Sequence, residues 1–522
     1  MVFSQLAFLY FFIPLFFLLY LAAGRIKCEF ALDIGSRRIE VTEASRGINA
    51  RNLLIFVSGC IFYAWGEPFY VILMLISTAI DYTAGRFMDK YDDRQDIRRL
   101  CLIVSVCMNL GLLGLFKYSD FLIDSINSAA GTQLGNPVLS VNKALNSVFP
   151  LHLDEKRVHL PIGISFYTFQ SMSYTIDLYM RKIKVQKSLL KFAAYVTLFP
   201  QIVAGPIVRY EHVEKELCDR TVTPGKVYEG IGIFVKGLSK KVLLANNIGS
   251  LWSTVKGEDF SSLPALTAWL GIIAFTLQIY FDFSGYSDMA VGLGKMMGFE
   301  FPKNFDHPYM SRSVSEFWRR WHMTLGEWFK SYVYIPLGGN RRGQGRTLIN
   351  LMIVWGLTGL WHGASWNFVL WGIYFGVLII LERVFLSKLL EKLPSGVRTA
   401  YSLAAVIIGW VFFETDSLHD AFAYFGALFG TPLADEHFLY LLKNYALVLI
   451  VCIAASTDIV SRLKAFMPKT RLYRKLKTMV KSAVAGDTLK TVFVTLAEMA
   501  ALFLCTCNIA TSSYNPFLYF RF

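Results

Sequence analysis

Charge is what this sequence has least of. Of its 522 residues only 17% are Asp, Glu, Lys or Arg, against about a quarter in a soluble globular domain. Acids are the scarcer sign, 38 against 52 basic residues, for a net charge of +14. Chemistry-bearing motifs are missing too. No G-x-S-x-G elbow is present to expose a serine nucleophile. Gly292-Leu293-Gly294-Lys295 lacks the upstream glycine and the following Ser or Thr of a phosphate-cradling loop. There is no H-E-x-x-H pair for zinc. The eight cysteines lie mostly inside apolar blocks, and Cys505-Thr506-Cys507 is too tight for a zinc pair and has no histidine nearby. No metal site and no permanently bound cofactor are expected. Internal repeats, low-complexity tracts and a separate aromatic-basic module for nucleic acid are likewise absent.

What the chain has is apolar residues in long blocks, 54% of the total, with 15% aromatics. Crossing the hydrocarbon of a bilayer takes about 20 apolar residues in a helix. Blocks of suitable character lie near 2–23, 52–66, 68–84, 99–116, 160–180, 189–208, 262–284, 347–361, 364–382, 400–414, 440–457 and 487–507. The first lacks a basic leader and a small-residue cleavage pattern, so it reads as a span and not a signal peptide. The fold class this predicts is an all-α polytopic membrane protein, a single domain over 1–522. Residues 24–51 read as a mixed-charge loop. In 209–261, Lys236, Lys240 and Lys241 on an apolar stretch suggest an interfacial helix. Residues 461–481 carry eight basic residues and no acid, which places that loop in the cytoplasm and the tail Ser513–Phe522 outside.

Three stretches could carry chemistry. In the 34 residues Leu348–Leu381, His362 is the only member of the Asp, Glu, Lys, Arg and His set. A straight helix of that length would run roughly 50 Å through a core of about 30 Å. A break or a second helix is therefore expected, with Trp361-His362-Gly363-Ala364-Ser365 at its middle. An ionisable group at membrane depth marks a functional candidate. A neutral histidine bonding two helices together fits the segment equally well.

In Ser315–Lys330, a helical wheel puts Phe317, Trp318, Trp321, Leu325, Trp328 and Phe329 on one face, with His322 at its edge. That reads as a helix at headgroup level, commonly a plain anchor. Arg319 and Arg320 could meet a phosphate or coenzyme A, and the basic turn through Asn340 could do the same. In Gln278–Asp288, Asp282 and Asp288 close an apolar span. They could line a polar cavity or orient a histidine, or Asp288 caps a new helix beginning at Met289.

Taken together, Glu316–His322, Tyr334–Asn340 and Trp361-His362-Gly363-Ala364 resemble the membrane-bound O-acyltransferase family. The likeness is to the bacterial branch that O-acetylates alginate and related polysaccharides. Leu160–Tyr167, Phe199–Pro206, Tyr280–Ala290 and Ser513–Tyr519 agree with it, while the 24–51 loop is longer than is usual there. The resemblance implies a ring of tilted helices around a thinned centre, pierced by a tunnel. It implies that His362 is catalytic and that His322 is the second position of interest. Arg319, Arg320, Trp321, Asp282, Asp288 and Asn340 are weaker candidates for binding donor or substrate.

The implied activity is transfer of an acetyl group, with acetyl-CoA as donor, across a bacterial inner (cytoplasmic) membrane. An SGNH-type acetyltransferase or acceptor protein outside would then modify the exported polysaccharide. A neutral imidazole suits removal of a hydroxyl proton near neutral pH. An acyl-histidine step is a further route. Rival readings are D-alanyl or other acyl transfer from a carrier protein, a transporter without chemistry, and a scaffold recruiting an outside transferase.

Overall fold

The computed structural model describes residues 2–25, 31–34, 37–40, 48–148, 154–459, 486–512, 514–516 and 518. The basic 461–481 loop, Pro150, His152, Cys28 and most of the tail lie outside the described residues. Helices dominate, as the apolar blocks require. The exception among the described residues falls in the expected 24–51 loop, where Ala31–Ile34 and Arg37–Glu40 pair antiparallel.

Among the described residues, seven helices are long and apolar enough to cross a membrane: Val71–Lys90, Gln95–Ala130, Ala265–Met296, Trp366–Leu390, Ser395–Glu414, Glu436–Ser456 and Thr491–Thr511. Phe8–Ala23 and Ile48–Ala64 are shorter apolar helices. Their outer faces carry bare apolar side chains, such as Leu18, Leu447 and Phe503, which suits contact with lipid tails. The block at 189–208 is not one span. It breaks into Leu189–Val196 and Phe199–Ile202, because Pro200 cannot continue a helix through its own missing N–H. The block at 160–180 gives a 16-residue helix, Ile164–Tyr179. At 1.5 Å per residue it is too short for the hydrocarbon, and nearly all its side chains are buried in protein.

The chain packs as two compact units, 1–230 with 293–302, and 231–292 with 303–522. The first is tied by a polar knot between three helices. Asp81 Oδ1 accepts from Ser105 Oγ at 2.6 Å and Asn109 Nδ2 at 2.8 Å, and Ser77 Oγ donates to Asn109 Oδ1 at 2.5 Å. Ser171 and Thr175 of Ile164–Tyr179 reach the same cluster. These side chains are fully buried, so without one another they would leave polar groups unsatisfied in an apolar medium.

The second unit is centred on Ala265–Met296, 83% of whose apolar window is buried, the most of the seven. Beside it, Gln344–His362 and Trp366–Leu381 form an antiparallel pair. Gly359 and Gly372 face each other where they cross, and a Cβ on either would collide with backbone of the other helix. Small residues let the two axes approach this closely. The reversal between them, Gly363-Ala364-Ser365, is the break expected from the length of the apolar run, and it sets His362 as the last residue of its helix.

Candidate functional site

His362 is 3% exposed. Its ring lies against Trp361 and Trp371, each 5.0 Å away between centroids, and Phe413 at 5.3 Å. Asn367, on the next helix, donates to Thr415 O at 2.7 Å and so fixes the reversal to the end of Ser395–Glu414. The imidazole is held in a cup of aromatic rings.

His322 is 2% exposed. The single headgroup-level helix expected over 315–330 is not formed. Two short helices, Val314–Arg320 and Met323–Phe329, meet at a corner, and His322 occupies it with φ +45°. Left-handed backbone is uncommon for a residue with a Cβ, and here it turns the ring inward from the expected edge of the stripe. The corner is held at both sides. Ser313 caps the first helix by accepting from Glu316 N at 3.0 Å. Buried Glu382 accepts from Val314 N at 2.6 Å and Ser315 N at 2.8 Å, where the positive end of the helix favours a carboxylate. On the far side, Asn304 takes Met323 N on its carbonyl at 3.0 Å and His322 Nδ1 on its side chain at 3.1 Å.

The two histidines share a neighbour. Trp361 lies 5.9 Å from the His322 ring and 5.0 Å from the His362 ring, centroid to centroid. Phe283, on the central helix, meets His322 edge-on at 4.7 Å. His322 and Trp321 also line a cavity of about 240 Å³ with Trp318, Phe329, Tyr334 and Trp355. His322 lies outside the seven spans, and burial pushes its pKa down to about 3. It is neutral at physiological pH, the form that can accept a proton.

A second cavity in the same unit, about 500 Å³, has a basic lining of Lys236, Lys240, Lys303 and His307, with Asp288 as its carboxylate. Gly237 and Gly285 bring the helix Pro224–Ser239 against the central helix, since a Cβ on either would meet the other's carbonyl oxygen. That crossing places Lys240 2.8 Å from Asp288 and Lys241 2.6 Å from Asp282. The interfacial helix expected from Lys236, Lys240 and Lys241 is therefore corrected. Lys241 is 2% exposed and neutralises a buried carboxylate, and burial lowers the Lys240 pKa. Asp288 does not cap a new helix, because Ala265–Met296 runs unbroken through it. The described part of the tail closes over the buried pair. Lys241 Nζ donates to Pro516 O, and Leu518 N donates to Asp282 Oδ2 at 3.0 Å.

The remaining candidates are dispersed. Arg319 is exposed, and Arg320 pairs with Glu316 at 2.9 Å. Asn340 is exposed on a turn that Asn350 fastens through Leu337 O and Gly339 O, and it lines neither cavity. Trp321 is buried among Tyr280, Phe305, Tyr309 and Trp410. Sequence reasoning passed over Asn304, Glu382 and His307. Only a structure pairs Asn304 with a histidine 18 positions away, whereas the buried Glu382 could have been flagged as the acid ending an apolar run.

The model of the MBOAT, membrane-bound O-acyltransferase family, matches residues 63–413. A probable alginate O-acetylase of Pseudomonas putida is 36% identical, over 100% of both chains. The peptidoglycan O-acetyltransferase of Helicobacter pylori is 30% identical over 71% of this chain and 72% of its own. The teichoic acid D-alanyltransferase of Bacillus subtilis is 27% identical over 65% of this chain and 93% of its own.

Proposed function

The chain belongs to the membrane-bound O-acyltransferase family, a multi-pass membrane O-acyltransferase, and we propose that it takes an acetyl group from acetyl-CoA for O-acetylation of an exported polysaccharide. The observation that carries this reading is the pair of buried histidines flanking one indole. Attack of a hydroxyl on a thioester needs a base for the hydroxyl proton. His362 takes that proton as the oxygen attacks the acetyl carbonyl, and the tetrahedral intermediate collapses with loss of the thiolate, which is then protonated to CoA. His322, neutral and across Trp361, shares in positioning and in moving the proton. The aromatic walls exclude water, which would otherwise hydrolyse the thioester.

The basic cavity supports an anionic donor, since Lys236, Lys240, Lys303 and His307 together suit phosphate groups. On this reading the cavity, where Lys240 is itself paired with Asp288, takes the task first given to Arg319 and Arg320. The names of the relatives support a cell-envelope or exported glycan as final acceptor, two of them being acetyl-transfer proteins. On this reading the chain sits in a bacterial cytoplasmic membrane and hands the acetyl group to an SGNH-type partner protein outside.

The test is thioester turnover. The purified protein in nanodiscs is given acetyl-CoA labelled in the acetyl group, with and without the outside partner, and free CoA and labelled product are followed. Histidine-dependent CoA release is expected, and release undiminished in folded His362→Ala would sink the assignment. Release only from a D-alanyl carrier protein would move the chain to the carrier-dependent reading.

A further inference from the structure

The corner that carries His322 holds more chemical information than its position alone. Asn304 is 2% exposed, and its Oδ1 receives three contacts: Thr324 N at 3.2 Å, Thr324 Oγ1 at 2.9 Å and His322 Nδ1 at 3.1 Å. A backbone N–H can only donate. The Asn304 atom facing Thr324 N must therefore be the amide oxygen, which fixes the orientation of the amide group. An amide oxygen can only accept. His322 Nδ1 must then carry the hydrogen. A neutral imidazole has one N–H, so Nε2 carries the lone pair.

The backbone enforces the same match. Met323 N donates to Asn304 O at 3.0 Å, and Asp306 N donates to Arg320 O at 2.9 Å. The strand of chain at 304–306 thus runs along the corner and holds the left-handed conformation of His322 in place. Other titratable groups lining the His322 cavity are Lys330 and Tyr334, and the rings packed on the imidazole, Phe283 and Trp361, are uncharged.

We propose that Asn304 is a positioning residue that locks His322 as its Nδ1–H tautomer, so that Nε2 is the ring atom able to take a proton during acyl transfer. The inference rests on the acyltransferase reading of this site and deepens it. Without the lock, the ring is free to take its proton on Nε2 and lose its use as a base there.

The experiment compares CoA release from acetyl-CoA across pH for the full-length protein and for Asn304→Leu, Asn304→Asp and His322→Ala, with thermal unfolding of each. Asn304→Leu keeps the volume and removes the acceptor. Its kcat is expected to fall at least about 10-fold with KM little changed, as in enzymes whose imidazole loses the partner that sets its tautomer. Asn304→Asp keeps an acceptor in place. It is expected to retain turnover, with the acid limb of its pH profile moved to higher pH because a carboxylate stabilises the imidazolium. Wild-type kcat and an unchanged profile in folded Asn304→Leu, with His322→Ala inactive, would overturn the tautomer lock alone. Should Asn304→Leu fail to fold, Asn304→Asp decides, and an unshifted acid limb there overturns it. Full turnover in His322→Ala would instead remove His322 from the reaction and overturn both readings.

Discussion

At the scale of the residue, the proposed chemistry rests on two imidazoles that the fold takes out of water by different routes. His362 ends a helix and is walled by Trp361, Trp371 and Phe413. His322 is turned inward by a left-handed corner. Removing a general base costs about 10²–10⁴-fold in rate. His362→Ala is expected to lower CoA release by that order while thermal unfolding and detergent extraction match the parent. His362 was legible in the sequence because one ionisable group in a long apolar run is conspicuous. The environment of His322 was not. A helical wheel assumes one continuous helix, and the break at Trp321-His322 is held by contacts with Asn304, which lies 18 positions away in the chain.

At the scale of the element, the crossing of Pro224–Ser239 over the central helix creates a buried ion pair. Lys241 and Asp282 are 2% and 1% exposed, and the tail residues Pro516 and Leu518 complete their bonding. Breaking such a pair from one side leaves an uncompensated charge and costs about 3–5 kcal/mol, whereas replacing both partners by apolar residues is often neutral. Lys241→Met alone is therefore expected to lower the unfolding temperature in detergent sharply. The double change Lys241→Met with Asp282→Leu is expected to recover most of the loss. A double variant no better than the single would show that the pair carries more than its own charge balance. The sequence revealed the carboxylates but misread the lysines. Basic residues on an apolar stretch suggest an interface until the facing helix is known, and the glycines at 237 and 285 that permit the approach have no signature of their own.

At the scale of the whole molecule, length and hydropathy indicated a polytopic membrane protein, and among the described residues seven helices meet both criteria. The blocks at 2–23, 52–66 and 347–361 give helices outside those seven, and the blocks at 160–180 and 189–208 give short or broken ones. The apolar character of those last two reflects burial in protein, and hydropathy alone does not separate that from burial in lipid. The same distinction bears on the cysteines. Cys452 and Cys505 are buried, and none of Cys60, Cys101, Cys107, Cys218, Cys452, Cys505 or Cys507 lines either cavity. Treatment with N-ethylmaleimide is expected to leave CoA release unchanged. A loss of release that pre-incubation with acetyl-CoA prevents would put a thiol on the acyl path.

The aromatic cup also has a spectroscopic side. Trp361 and Trp371 stand against the His362 imidazole, with Trp410 stacked on Trp371 and Trp318 meeting Trp371 and Trp355 edge-on. Indole emission is quenched by a neighbouring imidazolium and far less by the neutral ring. These indoles therefore form a built-in fluorophore at the proposed seat of proton transfer, one that brightens or dims as the imidazole gives up or gains its proton, with no label added.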